Sequence, residues 1–142
     1  MQHNNILTII LPGPPVPKAR AKSGRRGFYN PQRDIMNIVK VLIKQQLPGD
    51  FKMITERVPV VVNIKAFFSP SKTESTKKFL DLIKDEAYPS TKKKDRDNLD
   101  KFVLDCMSGI IFYDDAQVYD GRITKLYTPN EPRTEIEILW QS

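Results

Sequence analysis

Residues 92–120 read KKKDRDNLDKFVLDCMSGIIFYDDAQVYD, and seven of the chain's 17 acidic residues fall here: Asp95, Asp97, Asp100, Asp105, Asp114, Asp115 and Asp120. The protein as a whole carries a formal net charge of +6. Like charges this close repel, and a hard cation such as magnesium is what usually brings several carboxylate oxygens to one point. Asp95 and Asp97 flank Arg96, and in extended backbone, where side chains alternate, both carboxylates project to the same side. A helix is expected to begin next. Leu99, Phe102, Val103, Cys106, Met107 and Ile110 recur at amphipathic spacing, with Asp97 or Asn98 as the N-cap and Gly109 as the stop. On the opposite face Asp97, Lys101 and Asp105 stand four apart and share a ridge. Gly109 and the run Ile110 to Tyr113 turn the chain back and deliver Asp114 and Asp115 to the entry of a strand expected over Gln117 to Tyr127. Asp95, Asp97 and one of Asp114 or Asp115 are thereby expected to converge at the helix N-terminus.

Ordinary uses of aspartate compete with this reading: Asp97 as a cap, Asp100 and Asp105 as solvated charges, Asp114 and Asp115 as turn formers. Those uses leave the concentration of acids unexplained. Lys92, Lys93, Lys94, Arg96 and Lys101 sit among the carboxylates, a mixture suited to holding phosphate and metal together. A calcium loop is excluded, because one starting at Asp95 puts Leu99 at its fifth position and Cys106 where the bidentate Glu belongs.

The segment DRDNLDKFVLDCMSGIIFYDDAQV resembles the acidic core of the RusA family of Holliday junction resolvases, whose pattern runs Asp-x-Asp-Asn, Lys, Asp and then Asp-Asp-x-Gln-Val. The opening LPGPPVPKARAK resembles that family's amino-terminal loop, and the closing strand pair fits too. The resemblance implies a small homodimeric, magnesium-dependent endonuclease that nicks four-way DNA junctions and is often prophage-encoded, with manganese able to substitute. It places the catalytic carboxylates at Asp95, Asp97 and Asp115 and the catalytic lysine at Lys101, with Asp114 as the alternative to Asp115 as third carboxylate. Ser69 to Thr91 is longer than the matching stretch of the smallest members, and the resemblance gives it no role.

Beyond this stretch the 142 residues are enough for one domain with a real core, and no second domain is expected within residues 1–142. A sequence pI near 9.4 points to a polyanionic partner. With one cysteine there is no internal disulfide and no cysteine-rich zinc site, and Cys106, on the apolar helix face, reads as a small buried hydrophobe. The single histidine, His3, lies at the amino terminus, which argues against a Ser-His-Asp hydrolase. No segment has the apolar length of a membrane span, and Ile6 to Leu11 lacks the basic flank and length of a signal peptide, so the expected compartment is the cytoplasm.

Ile6 to Leu11 reads as a β-branched first strand ended by Pro12-Gly13-Pro14-Pro15. Val16 to Asn30 reads as a long irregular loop carrying Lys18, Arg20, Lys22, Arg25 and Arg26 without an acid, and closed by Phe28 and Tyr29. Such a loop is either a disordered basic linker or an arm that grips phosphates, together with Lys92, Lys93, Lys94 and Arg96, while its aromatics stack on bases; only the arm joins it to the acidic core. A helix is expected from Pro31 to Leu47 with Ile35, Ile38, Val39, Leu42 and Ile43 on its buried stripe. A strand follows over Pro59 to Phe68, a helix over Thr76 to Glu86 with Phe79, Leu80 and Ile83 on its apolar edge, and a last strand over Thr134 to Trp140. The sum is an α+β domain, a mixed sheet of three to four strands packed mainly on one side by two to three helices.

Phosphodiester hydrolysis needs an activated water, charge stabilisation at phosphorus and help for the leaving oxygen. Carboxylate-held magnesium with Lys101 meets those needs without a histidine. Other readings are a non-catalytic DNA-binding recombination accessory protein, or a nuclease that prefers forks or flaps.

Overall fold

The computed structural model describes residues 2–20, 22–24 and 27–142, and the side chains of Lys22 and Phe28 are also outside the described set. The chain runs β1 (Asn5–Pro12), β2 (Lys22–Gly24), β3 (Gly27–Tyr29), α1 (Arg33–Gln45), β4 (Val60–Phe68), α2 (Lys77–Leu82), α3 (Arg96–Met107), a 3₁₀ turn (Asp115–Gln117), β5 (Val118–Asp120), β6 (Ile123–Tyr127) and β7 (Arg133–Trp140). Five strands form one mixed sheet in the order β1-β7-β4, with β5 and β6 both on the far side of β4. β1 and β4 flank β7 antiparallel, whereas β5 and β6 run parallel to β4. A parallel neighbour requires a crossover, and α2 and α3 lie within it.

Alternation decides which face is buried. Leu7, Ile9 and Leu11 of β1, Val60, Val62, Ile64 and Ala66 of β4, and Ile136 and Ile138 of β7 point into the core, while Ile6, Thr8 and Ile10 face outward. α1 and α3 cover the inner face with Met36, Val39 and Ile43, and with Phe102, Val103, Cys106 and Met107. Full burial of a side chain such as Ile43 or Ile138 contributes about 1.5–3 kcal/mol relative to exposure. Burial also pushes the Cys106 thiol up to about 11, as expected of a small hydrophobe with no chemical task.

Four sequence expectations need correction. The stripe of α1 is Met36, Val39 and Ile43, with Leu42 half-buried against the core as expected; Ile38 is 61% exposed and Ile35 is exposed as well. Apolar residues at 35–36, 38–39 and 41–43 make an arc wider than the strip that touches the sheet. The basic loop contains a hairpin, with Lys22 opposite Tyr29 and Gly24 opposite Gly27. α3 starts earlier than expected, with Asp95 at its N-cap in extended backbone, so Asp97 and Asn98 already lie in the first turn. The strand expected over Gln117 to Tyr127 is broken at Gly121 and Arg122. The pairing with β4 shifts register between Val60–Val118 and Val61–Asp120 and resumes at Ile64–Ile123, while in the gap Arg122 N–H donates to Asn63 Oδ1 and Arg122 C=O accepts from Ile64 N–H. Gly121 sits at φ +152°, and a Cβ there would fall 1.8 Å from the carbonyl oxygen of Val62, so only glycine allows this approach.

The segment between β4 and α3 is docked by two carboxylates. Glu74 accepts from Lys92 Nζ at 2.8 Å and from the Tyr127 hydroxyl at 2.9 Å. Glu86 accepts two bonds from the Arg133 guanidinium, at 2.7 and 3.0 Å, and one from the Thr128 hydroxyl. Arg133 in turn stacks 4.1 Å over the Phe67 ring.

Candidate active site

α3 carries the first half of the site. Its buried side presents Leu99, Phe102, Val103 and Cys106 to the core, which fixes the rotation of the helix and leaves Asp97, Lys101 and Asp105 along the other side. Asp97 and Lys101 are exposed, and Asp105 is half-buried. Asp95, at the N-cap, accepts from Asn98 Nδ2 at 3.5 Å and makes no cap bond to the backbone. Asp100, one position before Lys101, is half-buried and lines a groove of about 330 Å³ with Leu104, Tyr119, Asp120 and Gly121.

The second half is the Asp-Asp-x-Gln turn. Gly109, at φ +82°, lets the chain leave α3, and Ile111 and Phe112 are then fully buried, which pins the turn. Asp114 caps the 3₁₀ turn: its Oδ1 accepts from Ala116 N–H at 3.1 Å. Gln117 answers by accepting from the N–H groups of Tyr113 and Asp114 at 2.9 and 3.1 Å, a reciprocal capping box. Its amide also donates to the carbonyls of Thr55 and Val58, tying the turn to the chain before β4. The two aspartates therefore differ in task. The Ala116 N–H, foremost, holds the Asp114 carboxyl below its ordinary range. The hydrogen bond with Asp114 first, then burial and the charges of Asp114 and Asp105, push the Asp115 carboxyl above it.

Mutual charge links the halves. Burial first, then the charges of Asp115 and Asp97, raise the Asp100 carboxyl. Asp115 thus lies within electrostatic reach of Asp100 and Asp105 on α3. Asp100 was not singled out as a site residue from the sequence, although its position three residues after Asp97 on a helix was a signal for it. Among the described residues no group of three or more His, Cys, Asp or Glu side chains is gathered tightly enough to hold a metal ion. What the face does offer is hard oxygen donors on two elements, with perturbed carboxyls where they meet.

Cationic segments border this face. Lys93, Lys94 and Arg96 are exposed, and Lys92, Lys93 and Lys94 line a groove of about 380 Å³ with Pro14, Pro15, Phe68 and Pro132. Lys92 is engaged by Glu74 and lies 5.9 Å over the Tyr127 ring, and its carbonyl accepts from Lys125 Nζ. On the other chain segment Arg20 is exposed, as is Tyr29, whereas Lys18 is paired with Asp105 at 3.0 Å. Arg25, Arg26 and the Lys22 side chain lie outside the described residues. Among the described residues, no helix is long and apolar enough to cross a membrane.

Comparison with known proteins agrees with this arrangement. A protein of Bacillus subtilis (strain 168) carrying the name Uncharacterized protein YqaN is 33% identical over 81 residues, which are 56% of this chain and 56% of that protein. The chain thus matches about half the length of that relative. The profile of the family described as Endodeoxyribonuclease RusA matches residues 12–139, which takes in the chain from the end of β1 to all but the last residue of β7, with the acidic helix and the Asp-Asp-x-Gln turn, and the chain therefore belongs to the RusA endodeoxyribonuclease family.

Proposed function

We propose that this protein is a magnesium-dependent endodeoxyribonuclease that resolves four-way DNA junctions, acting as a homodimer that places paired nicks symmetrically. The observation that carries this reading is the meeting of α3 and the Asp114–Asp115 turn in one acidic face bordered by cationic segments, in a chain of the RusA family. Exposed Arg20, Lys93, Lys94 and Arg96 are assigned to the DNA backbone, and Lys22, Arg25 and Arg26 are assigned the same role.

Magnesium takes oxygen ligands, and the donor chemistry of Asp95, Asp97 and Asp115 fits it, with manganese as the substitute. Asp114 is the weaker donor, because its carboxylate already caps the turn. When bound, such an ion supplies a water of lowered pKa and a counter-charge for phosphate. Lys101 stands one helical turn after Asp97 on the same ridge, where its ammonium neutralises the phosphate or protonates the leaving 3′ oxygen. Packing of Leu99 and Phe102 holds the helix, and with it Asp97 and Lys101, in fixed orientation. A two-fold dimer presents this face twice, once to each of two strands of like polarity.

The test is cleavage of a mobile synthetic four-way junction beside matched duplex, fork and flap DNA, with and without magnesium. Paired symmetric nicks on the junction, and only with metal, are expected. Cutting confined to forks or flaps would keep the nuclease and change its substrate. Binding without cleavage in both magnesium and manganese would overturn the reading.

A further inference from the structure

We infer that Lys18, Asp105 and Gln32 form a latch that holds the basic arm against the acidic helix, so that Lys18 is a positioning residue and not a phosphate ligand. The inference rests on the nuclease reading for its functional meaning and on the following contacts for its geometry.

Leaving β1, the chain passes from Gly13, whose N–H donates to Pro132 O at 3.1 Å, to a buried Pro15 and then between α1 and α3. There it is held from both helices. On the α1 side, the Gln32 side chain grips two backbone groups of the arm, accepting from Ala19 N–H at 2.8 Å and donating to Pro17 O at 2.8 Å. Gln32 is itself fixed by donating its backbone N–H to Asn30 Oδ1 at 2.9 Å. It is the N-cap residue of α1 yet makes no cap bond with its side chain, because the amide is turned to the arm. On the α3 side, Lys18 N–H donates to the carbonyl of Asn98 at 2.7 Å, and Lys18 Nζ pairs with Asp105 Oδ2 at 3.0 Å, with Met36 Sδ 3.7 Å away.

A lysine that clamps phosphate needs its ammonium in solvent and clear of carboxylates. Lys18 meets neither condition: its side chain is only 26% exposed and its charge is already matched by Asp105. Asp105 lies two turns beyond Asp97 on the same ridge of α3, so the latch closes onto the helix that carries the candidate catalytic carboxylates. Arg20 and the β2–β3 hairpin follow directly. Where the latch closes fixes how far their cations stand from the acidic face. A backbone pinned at Pro17, Lys18 and Ala19 also loses less freedom when DNA arrives, which favours binding through preorganisation.

The two roles for Lys18 give opposite double-mutant patterns. Junction affinity is read by fluorescence anisotropy, without cleavage, over a salt series for wild type, Lys18→Met, Asp105→Asn, the double variant and Lys18→Arg. A latch predicts that Lys18→Met and Asp105→Asn each weaken binding by about threefold. It also predicts that the double variant is no worse than either single one, that Lys18→Arg restores most of the affinity, and that the slope of log affinity against log salt is unchanged. If Lys18→Met instead lowers that slope by about 0.9 while Asp105→Asn tightens binding, Lys18 is a phosphate ligand and the inference falls.

Where a single variant melts below the assay temperature, the swap Lys18→Asp with Asp105→Lys decides: retained affinity supports the latch and lost affinity overturns it. Hydrogen exchange over residues 16–20 makes the outcome independent of the nuclease reading. Faster exchange of Lys18 and Ala19 in Asp105→Asn and Gln32→Ala is required by the latch even if wild type proves to bind no branched DNA, whereas unchanged exchange overturns it.

Discussion

Asp97→Asn separates binding from chemistry most cleanly. Asp97 is exposed in the first turn of α3, and no ion pair or side-chain hydrogen bond involves it among the described residues. The substitution keeps volume and removes one negative charge. Its structural cost is the favourable interaction of a carboxylate with the helix N-terminus, about 0.5 kcal/mol at an exposed site, so the fold persists. Its effect on DNA has the opposite sign. A carboxylate about 5 Å from a phosphate in a water-like dielectric is worth about 0.8 kcal/mol of repulsion, a factor of about four in affinity. Screening shrinks that factor at physiological salt, where the Debye length is about 8 Å. Cleavage moves much further. Loss of a residue that merely orients a metal ligand already costs about 10–100-fold, so loss of a ligand itself is expected to cost at least about 100-fold. The assay is paired: anisotropy on a four-way junction at low and physiological salt, and single-turnover cleavage on the same DNA in magnesium. Tighter or equal binding with cleavage down by two orders of magnitude is the expected result. A folded variant that loses affinity in step with cleavage, or that cuts within tenfold of wild type, would refute the role given to Asp97.

Two further predictions concern the frame around the site. Gly121→Ala places a Cβ 1.8 Å from Val62 O, a backbone atom that cannot rotate away, and should cost about 3 kcal/mol or more and lower the melting temperature by roughly 10 °C; an unchanged melt would show that the strand break is not held by this contact. The Arg133 guanidinium, with the Thr128 hydroxyl, lowers the Glu86 carboxyl from 4.5 to about 2, so its stabilisation is complete above pH 4.5 and lost as pH falls toward 2. The full shift corresponds to about 3 kcal/mol, and for a side chain still 23% exposed about 1 kcal/mol is expected to survive solvent screening. Glu86→Gln should therefore lower the melting temperature at pH 7 and flatten its fall between pH 4.5 and 2; a parallel curve would remove the pair from the account of acid stability.

What the sequence disclosed followed from periodicity, and what it hid followed from contacts made across the chain. Alternation in β4 and β7 and the 3.6-residue spacing of α3 are local patterns, and these elements stand close to where they were expected. The burial of Cys106 was readable for the same reason. The break at Gly121 was not, because the need for glycine arises from Val62, a residue of another strand. Gln32 carries no local sequence signal for its role, because its grip on Pro17 and Ala19 belongs to the path of the arm rather than to α1. The acidic motif was legible as a motif and not as a geometry. The pattern names the residues, but how far Asp115 stands from Asp95 depends on how the turn packs through Ile111 and Phe112.

The Asp-Asp-x-Gln pattern makes sense only as a division of labour. Gln117 spends its amide on Thr55, Val58, Tyr113 and Asp114, and Asp114 spends a carboxylate oxygen on Ala116, so two of the motif's polar side chains build the turn. Asp115 is the product: a carboxylate delivered beside α3, raised first by its hydrogen bond with Asp114 and then by burial and the charges of Asp114 and Asp105, and free of any ion pair among the described residues. Several other carboxylates are matched within the protein. Glu74 is matched by Lys92, Glu86 and Glu135 by Arg133, and Asp105 by Lys18. A basic protein with 23 cationic side chains had the means to neutralise every acid of this face. Asp95, Asp97 and Asp115 have no ion-pair partner among the described residues, and in the nuclease proposed above their counter-charge would come from outside the chain, together with the phosphate that the bordering cations attract.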